Sequence, residues 1–154
     1  MKKIISFIII ISFALVSFSA SKIVIMGKTN PSEIFLLKSW KQIYENYAPD
    51  METIKKISSL NKKIKVKIFF GTWCKDSRNN VPKLIRIFEN LPDYKVEYTG
   101  IIWRTCDKTG LYKTYNLERV PTIIFYQGEK EIGRIIENPK QTLEKDILNI
   151  VSDN

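Results

Sequence analysis

The sequence predicts an α/β domain, a mixed β-sheet flanked by helices, with a helical extension at its N-terminal side. Three observations carry this. The spacing of apolar residues changes along the chain to give the order strand, helix, strand, helix, strand, strand, helix over residues 61–154. The segment "IKVKIFF" at 64–70 alternates and then turns wholly apolar, as a strand does on entering a sheet covered on both faces. With 154 residues, 44% of them hydrophobic and 27% charged, the chain can bury one real core, is short for two domains and is too apolar for a disordered chain.

The chain opens with "MKKIISFIIIISFALVSFSASK". Two lysines precede an apolar run from Ile4 to Val16, and small residues follow. This is the layout of an export signal, with cleavage expected after Ser19 or Ser21. The run is shorter than the ~20 residues of a membrane span. An uncleaved N-terminal anchor is the alternative, since Phe18 and Ala20 could lengthen the run. Residues 22–60 read as the extension. "SKIVIM" at 21–26 suggests a short strand. "NPSEIFLLKSWKQIYENY" at 30–47 suggests a helix started by Asn30, Pro31 and Ser32, with Ile34, Leu37, Trp40, Ile43 and Tyr44 inward. Asp50 is placed to cap a further helix whose inner face carries Ile54, Ile57 and Leu60.

In the domain proper, residues 76–90 read as a helix with Val81, Leu84, Ile85 and Phe88 inward, and "YKVEYTGII" at 94–102 as a second strand parallel to the first. The crossover between them is expected to be right-handed. "TGLYKTYNL" at 109–117 is a short helix or turn. "PTIIFYQGEKEIGRII" at 121–136 is a hairpin turning at Gln127 and Gly128. The last helix, within 138–151, places Leu143, Ile147 and Ile150 on one side.

Composition excludes several chemistries. There is no histidine, so His triads, His general bases and His metal ligands are absent. Two cysteines cannot complete a tetrahedral zinc site without carboxylate help, and no metal or other cofactor is implied. The excess of 25 basic over 16 acidic residues is scattered, apart from Lys62, Lys63, Lys65 and Lys67. It reads as a solvated basic surface. No interleaving of aromatic and basic residues suggests a nucleic-acid platform.

Chemistry concentrates at "GTWCKDSRNNVP", residues 71–82. Cys74 falls where a strand gives way to a helix, where unpaired N–H groups and the positive helix end favour an anion. Thiols so placed have pKa values lowered from about 8.5 to between ~3.5 and 7.5, and the thiolate is the nucleophile of disulfide exchange. Ser77 lies one helical turn on, with a hydroxyl able to donate to the sulfur. Lys75 adds positive charge nearby and Asp76 partly opposes it. The bland alternative is a buried, inert cysteine.

Trp73, Cys74 and Ser77 resemble the WCxxC site of the thioredoxin family, with Ser in place of the last Cys. Pro82, eight residues after Cys74, is similar to the family's helix-kinking proline. Pro121 in "RVPT" is similar to its cis-proline, and "GEKEIGRII" to its final hairpin. The resemblance covers about residues 62–152. It implies a thioredoxin fold, a cis Val120–Pro121 bond lying against Cys74, and a substrate groove at Val120, Pro121 and Thr122, where an extended segment would pair with the Val120 backbone.

Two departures stand out. Ser77 cannot release a mixed disulfide as a second Cys would. The family's buried Asp beneath that second Cys corresponds here to Ile68. Cys106, just beyond the second parallel strand, is expected near the Cys74 edge of the sheet. It could be a distal resolving thiol, a disulfide partner of Cys74, or an unpaired loop thiol.

The expected function is an exported, monothiol thiol–disulfide oxidoreductase. Cys74 would be the nucleophile, with Trp73 and Ser77 beside it and an external small thiol or Cys106 resolving the adduct. Its partners would be protein or peptide thiols and disulfides, with membrane contact only if the signal is retained. The alternative is a redox-inactive module of the same fold that holds peptide partners in the groove. A peroxidase is a weaker third reading. Thr72 precedes Cys74 by two residues, but Arg78 is the only candidate for a peroxide-pocket arginine.

Overall fold

The computed structural model describes residues 23–103 and 107–153. The expected export signal over residues 1–21 and Cys106 lie outside the described residues. Among these residues no helix is long and apolar enough to cross a membrane.

The elements are β1 (Gly27–Thr29), α1 (Pro31–Ile34), α2 (Lys38–Asn46), α3 (Met51–Ser59), β2 (Ile64–Phe70), α4 (Lys75–Phe88), β3 (Tyr94–Gly100), α5 (Leu111–Thr114), β4 (Thr122–Gln127), β5 (Lys130–Ile136) and α6 (Leu143–Ser152). They form one five-stranded sheet of order β1-β3-β2-β4-β5. β2 and β3 are parallel, in register from Ile64↔Tyr94 to Phe70↔Gly100, and all other pairs are antiparallel.

Side-chain alternation along β2 divides the core. Ile64, Val66, Ile68 and Phe70 point to the side of α4 and α6, where they join Val81, Leu84, Ile85, Phe125 and Ile147. Phe69 points to the other side, with Ile124, Val120, Leu117, Ile101 and the α5 residue Tyr112. This second face is only partly apolar. Lys67 donates to the Tyr115 hydroxyl at 2.6 Å, and its ammonium lies over the Tyr115 and Tyr126 rings.

Residues 31–60 are built into the larger core rather than attached to its surface. Ile34, Trp40, Ile54 and Ile57 are buried in it, and the Trp40 ring meets Phe70 at 5.5 Å. The expected single helix over 30–47 is two. Ile34 and Trp40 are six residues apart, so on one continuous helix they would point about 120° from each other. A break at 35–37, where the Leu36 and Leu37 N–H groups turn back to Glu33 and Ile34, brings both inward. Asn30 and Asp50 cap α1 and α3 as the sequence suggests. α3 is tied to α6 by Glu144, a buried carboxylate that accepts from the Tyr47 hydroxyl at 2.6 Å and from the Asp50 N–H at 3.2 Å.

The first strand lies at Gly27–Thr29, beyond the apolar "SKIVIM". A close approach fixes its entry. A Cβ on Gly100 would stand 2.4 Å from the Ile25 carbonyl oxygen, so the chain passes there only over a glycine. In α6 the buried stripe is Leu143, Ile147 and Val151. Ile150 is half-buried and rests over Gly133 instead.

Candidate active site

Cys74 is the N-cap of α4. Its backbone is extended (φ −87°, ψ 129°), and its sulfur accepts the Ser77 N–H at 3.5 Å. The sulfur thus takes the place that an Asp or Ser oxygen holds at other helix starts, on one of the four N–H groups a helix leaves unpaired. Cys74 is a half-buried free thiol. Its S–H donates to the Val120 carbonyl oxygen at 3.0 Å. The Val120–Pro121 peptide bond is cis. Strand β2 delivers the helix start and β4 begins just after Pro121. Their antiparallel pairing, with Phe69 opposite Thr122, brings the two segments face to face.

The Ser77 hydroxyl is not the group on the sulfur. Ser77 is fully buried, and its Oγ accepts the Gly71 N–H at 3.2 Å. It fastens the residue just after β2 to the first turn of α4, and the Ser77 backbone makes the sulfur contact. Thr122 is also buried, with its hydroxyl donating to the Arg119 carbonyl at 2.7 Å. It braces the turn into Pro121. Ile68 is fully buried in β2 between Tyr98 and Ile123, so no carboxylate stands at that position in the sheet.

Trp73 is half-buried and lies close over Gly71, where an added Cβ would come within 2.6 Å of the indole ring. Its outer face stacks on Trp103, with ring centroids 3.7 Å apart and planes at 18°, and its buried indole N–H has no acceptor among the described residues. Trp103 is 58% exposed. The sequence places it one residue past "YKVEYTGII", at the sheet edge where β2 and β3 both end, and that shared edge is the signal that could have singled it out.

A second unforeseen residue is Asn80. It is buried on the inner side of α4, and its amide donates to the Glu137 carbonyl at 2.8 Å and to Asn138 Oδ1 at 2.9 Å. Asn138 in turn donates to Asp76 Oδ1 at 3.1 Å. The Glu137 N–H donates to the Pro121 carbonyl at 2.7 Å. A polar residue at an inward helical position is the sequence signal that marks Asn80. Among the charged neighbours, Lys75 and Arg78 are exposed and Arg119 pairs with Glu137 at 2.7 Å.

The structure therefore gathers Trp73, Cys74, Ser77, Val120, Pro121 and Thr122 at one sheet edge, with Pro82 inside α4. A sequence-family model described as Thioredoxin matches residues 36–148. The chain belongs to the thioredoxin family. The match takes in α2 and α3 as well as the motif-bearing half. No curated protein matches the chain. Among solved structures, a protein of unknown function from Pseudomonas aeruginosa is similar, with TM-score 0.58 and 15% identity over 81% of this chain and 87% of that one. An HIV epitope-scaffold is similar to the same degree, with TM-score 0.57 and 14% identity over 82% and 88%. The thioredoxin of Fasciola hepatica gives TM-score 0.46 and 22% identity over 65% and 89%. At these identities the likeness is one of fold.

Proposed function

We propose that this protein is an exported thiol–disulfide oxidoreductase that works through the single thiol of Cys74. The observation that carries the reading is the placement of the sulfur. It caps α4, receives the Ser77 N–H, and faces the Val120–Pro121 segment across 3.0 Å, with a serine one turn away where a second thiol would stand. Deprotonated Cys74 attacks one sulfur of a substrate disulfide. One S–S bond forms to Cys74, the substrate S–S bond breaks, and its other sulfur leaves as a thiolate. Helix-end N–H groups stabilise the attacking anion. Ser77 offers no sulfur to reverse the adduct, so a second thiol must do so. That thiol is a small-molecule thiol, Cys106, or another cysteine of the substrate. The first two routes remove adducts and the third rearranges disulfides. The substrate is an extended protein or peptide segment lying beside Pro121.

Export is part of the proposal. It rests on the two lysines, the apolar run Ile4 to Val16 and the small residues after it, and it suits a thiol chemistry that belongs to oxidising compartments.

Two observations favour a second reading, a binding module without turnover. Ile68 puts a fully buried alkyl group where a proton acceptor would serve a second thiol, and Ser77 spends its hydroxyl on Gly71. The discriminating experiment incubates the reduced chain with a peptide whose single cysteine is held in a mixed disulfide with a small thiol, and follows adducts by mass spectrometry without reductant. The expected result is a covalent adduct on Cys74 that accumulates and is cleared by added small thiol, with none formed by Cys74→Ser. Peptide retained equally by both forms, with no adduct, would replace the enzyme reading with the binding module.

A further inference from the structure

The Cys74 thiol and the Val120 carbonyl sit on different elements, and nothing in the covalent chain holds them at 3.0 Å. A hydrogen-bonded path does. Asn80, six residues after Cys74 on the same helix, donates to the Glu137 carbonyl. The N–H of that same residue 137 donates to the Pro121 carbonyl at 2.7 Å. Glu137 has a left-handed backbone (φ 59°), a conformation a non-glycine residue keeps only when its surroundings hold it. The second amide hydrogen of Asn80 goes to Asn138, whose own amide reaches Asp76 in the first turn of α4. The turn after β5 is thus clamped to α4 at two points, and it carries the Pro121 segment with it. Asn80 is 3% exposed. Its loss would leave the Glu137 carbonyl without its α4 partner, which buried backbone rarely tolerates.

We propose that Asn80 is a positioning residue: through Glu137 and Asn138 it sets the spacing between the Cys74 thiol and the Val120–Pro121 segment. It deepens the reading of this site as the place of thiol exchange and rests on that reading for its consequence alone. The spacing itself exists with or without turnover. A loosened clamp would widen the gap that a substrate segment must fill when its sulfur meets Cys74.

The test reads the Cys74 S–H bond directly. In a Cys106→Ser background the reduced chain has one thiol. Its S–H stretch falls in an infrared region free of other protein bands, and a thiol bonded to a carbonyl absorbs at lower frequency than an unbonded one. The expected result is an upward shift towards the free-thiol position in Asn80→Ala, and a smaller one in Asn138→Ala, which keeps the bond from Asn80 to the Glu137 carbonyl. Glu144→Ala, whose partners Tyr47 and Asp50 lie outside this path, is the control for lost stability alone and leaves the band in place. An unmoved band in folded Asn80→Ala would overturn the proposal and leave Asn80 a residue of stability only. If Asn80→Ala does not fold, Asn80→Ser and Asn138→Ala decide it in the same way, and two unmoved bands overturn it. No substrate enters the measurement, so this outcome is separate from the adduct experiment: a shifted band with no adduct keeps the clamp and removes the enzyme.

Discussion

Removing the Ser77 hydroxyl separates two roles that the sequence runs together. At a WCxxS site the hydroxyl is the natural candidate to stabilise the thiolate. In the structure it accepts the Gly71 N–H at 3.2 Å, and the sulfur is reached by the Ser77 backbone N–H. Ser77→Ala deletes the acceptor and leaves the helix backbone in place. The cost follows from burial. Ser77 is fully buried and so is Gly71, so the orphaned N–H has no easy route to water. An unsatisfied buried donor costs about 1–3 kcal/mol, and alanine's better helix propensity returns only a few tenths. A net loss of about 1–2 kcal/mol is expected in the free energy of unfolding, measured by urea titration of the reduced protein with a constant m-value. The rate of Cys74 modification by a small alkylating reagent at fixed pH should change by less than about threefold, since a factor of ten would need the ~1.4 kcal/mol of a lost direct bond. A tenfold or larger fall in that rate, with stability unchanged, would refute the reasoning and return the hydroxyl to the sulfur.

Two further substitutions test the core. Glu144→Ala strips the Tyr47 hydroxyl and the Asp50 N–H of a shared buried acceptor. A loss of about 3 kcal/mol is expected in urea unfolding, with coupling above ~1 kcal/mol in a double-mutant cycle with Tyr47→Phe. Additive effects would mean that the carboxylate does not staple the N-terminal helices to α6. Tyr94→Phe removes a buried hydroxyl that has no partner among the described residues, and is expected to be neutral or stabilising by up to ~1 kcal/mol at pH 7. Burial, with a smaller push from Asp93, raises the Tyr94 hydroxyl from 10.0 to about 12. The unfolded chain therefore loses this proton first. Titration of Tyr94 leaves fold stability unchanged below about pH 10 and lowers it between there and about pH 12, by up to ~1.4 kcal/mol per pH unit. The alkaline limb of stability against pH should be shallower in Tyr94→Phe, and an unchanged limb would show that the hydroxyl is not held protonated.

Local spacing encodes the strand and helix order from β2 onward, and cap chemistry marks the starts at Asn30 and Asp50. The meeting of "TWC" with "VPT" is what the family resemblance implies, not what spacing shows. Contacts between distant segments were less accessible. The break at 35–37 arises because Ile34 and Trp40 answer to the same core, a demand that appears only once Phe70 is in place. The Trp73–Trp103 stack and the Asn80 clamp join residues 30 and 57 positions apart, beyond any helical or strand period. Spacing puts Ser77 on the face of Cys74 but does not say that its backbone N–H rather than its hydroxyl meets the sulfur, because spacing fixes which face a residue occupies and not which of its groups finds a partner.

The departures at Ile68 and Ser77 belong together physically. A dithiol site needs a buried group to take the proton of its second, inner thiol, and a buried ionisable group is costly to keep unless it has that work. Once the inner position carries a hydroxyl that hydrogen-bonds the neighbouring backbone, the acid beneath has no proton to accept and its desolvation goes uncompensated. An alkyl group is then the more stable choice. Ile68, fully buried and paired between β3 and β4, is that choice. What remains at the surface is unaffected by the exchange: a sulfur on a helix end, two stacked indoles beside it, and the Val120 carbonyl opposite. Restoring only the thiol, as Ser77→Cys, would therefore not restore a dithiol enzyme. The new thiol would lack a base and the Gly71 N–H would lose its oxygen acceptor, so the variant should accumulate the same Cys74 adduct as the parent. Rapid self-clearance of the adduct in Ser77→Cys alone would show that Ile68 is neutral to the chemistry and that the two departures arose independently.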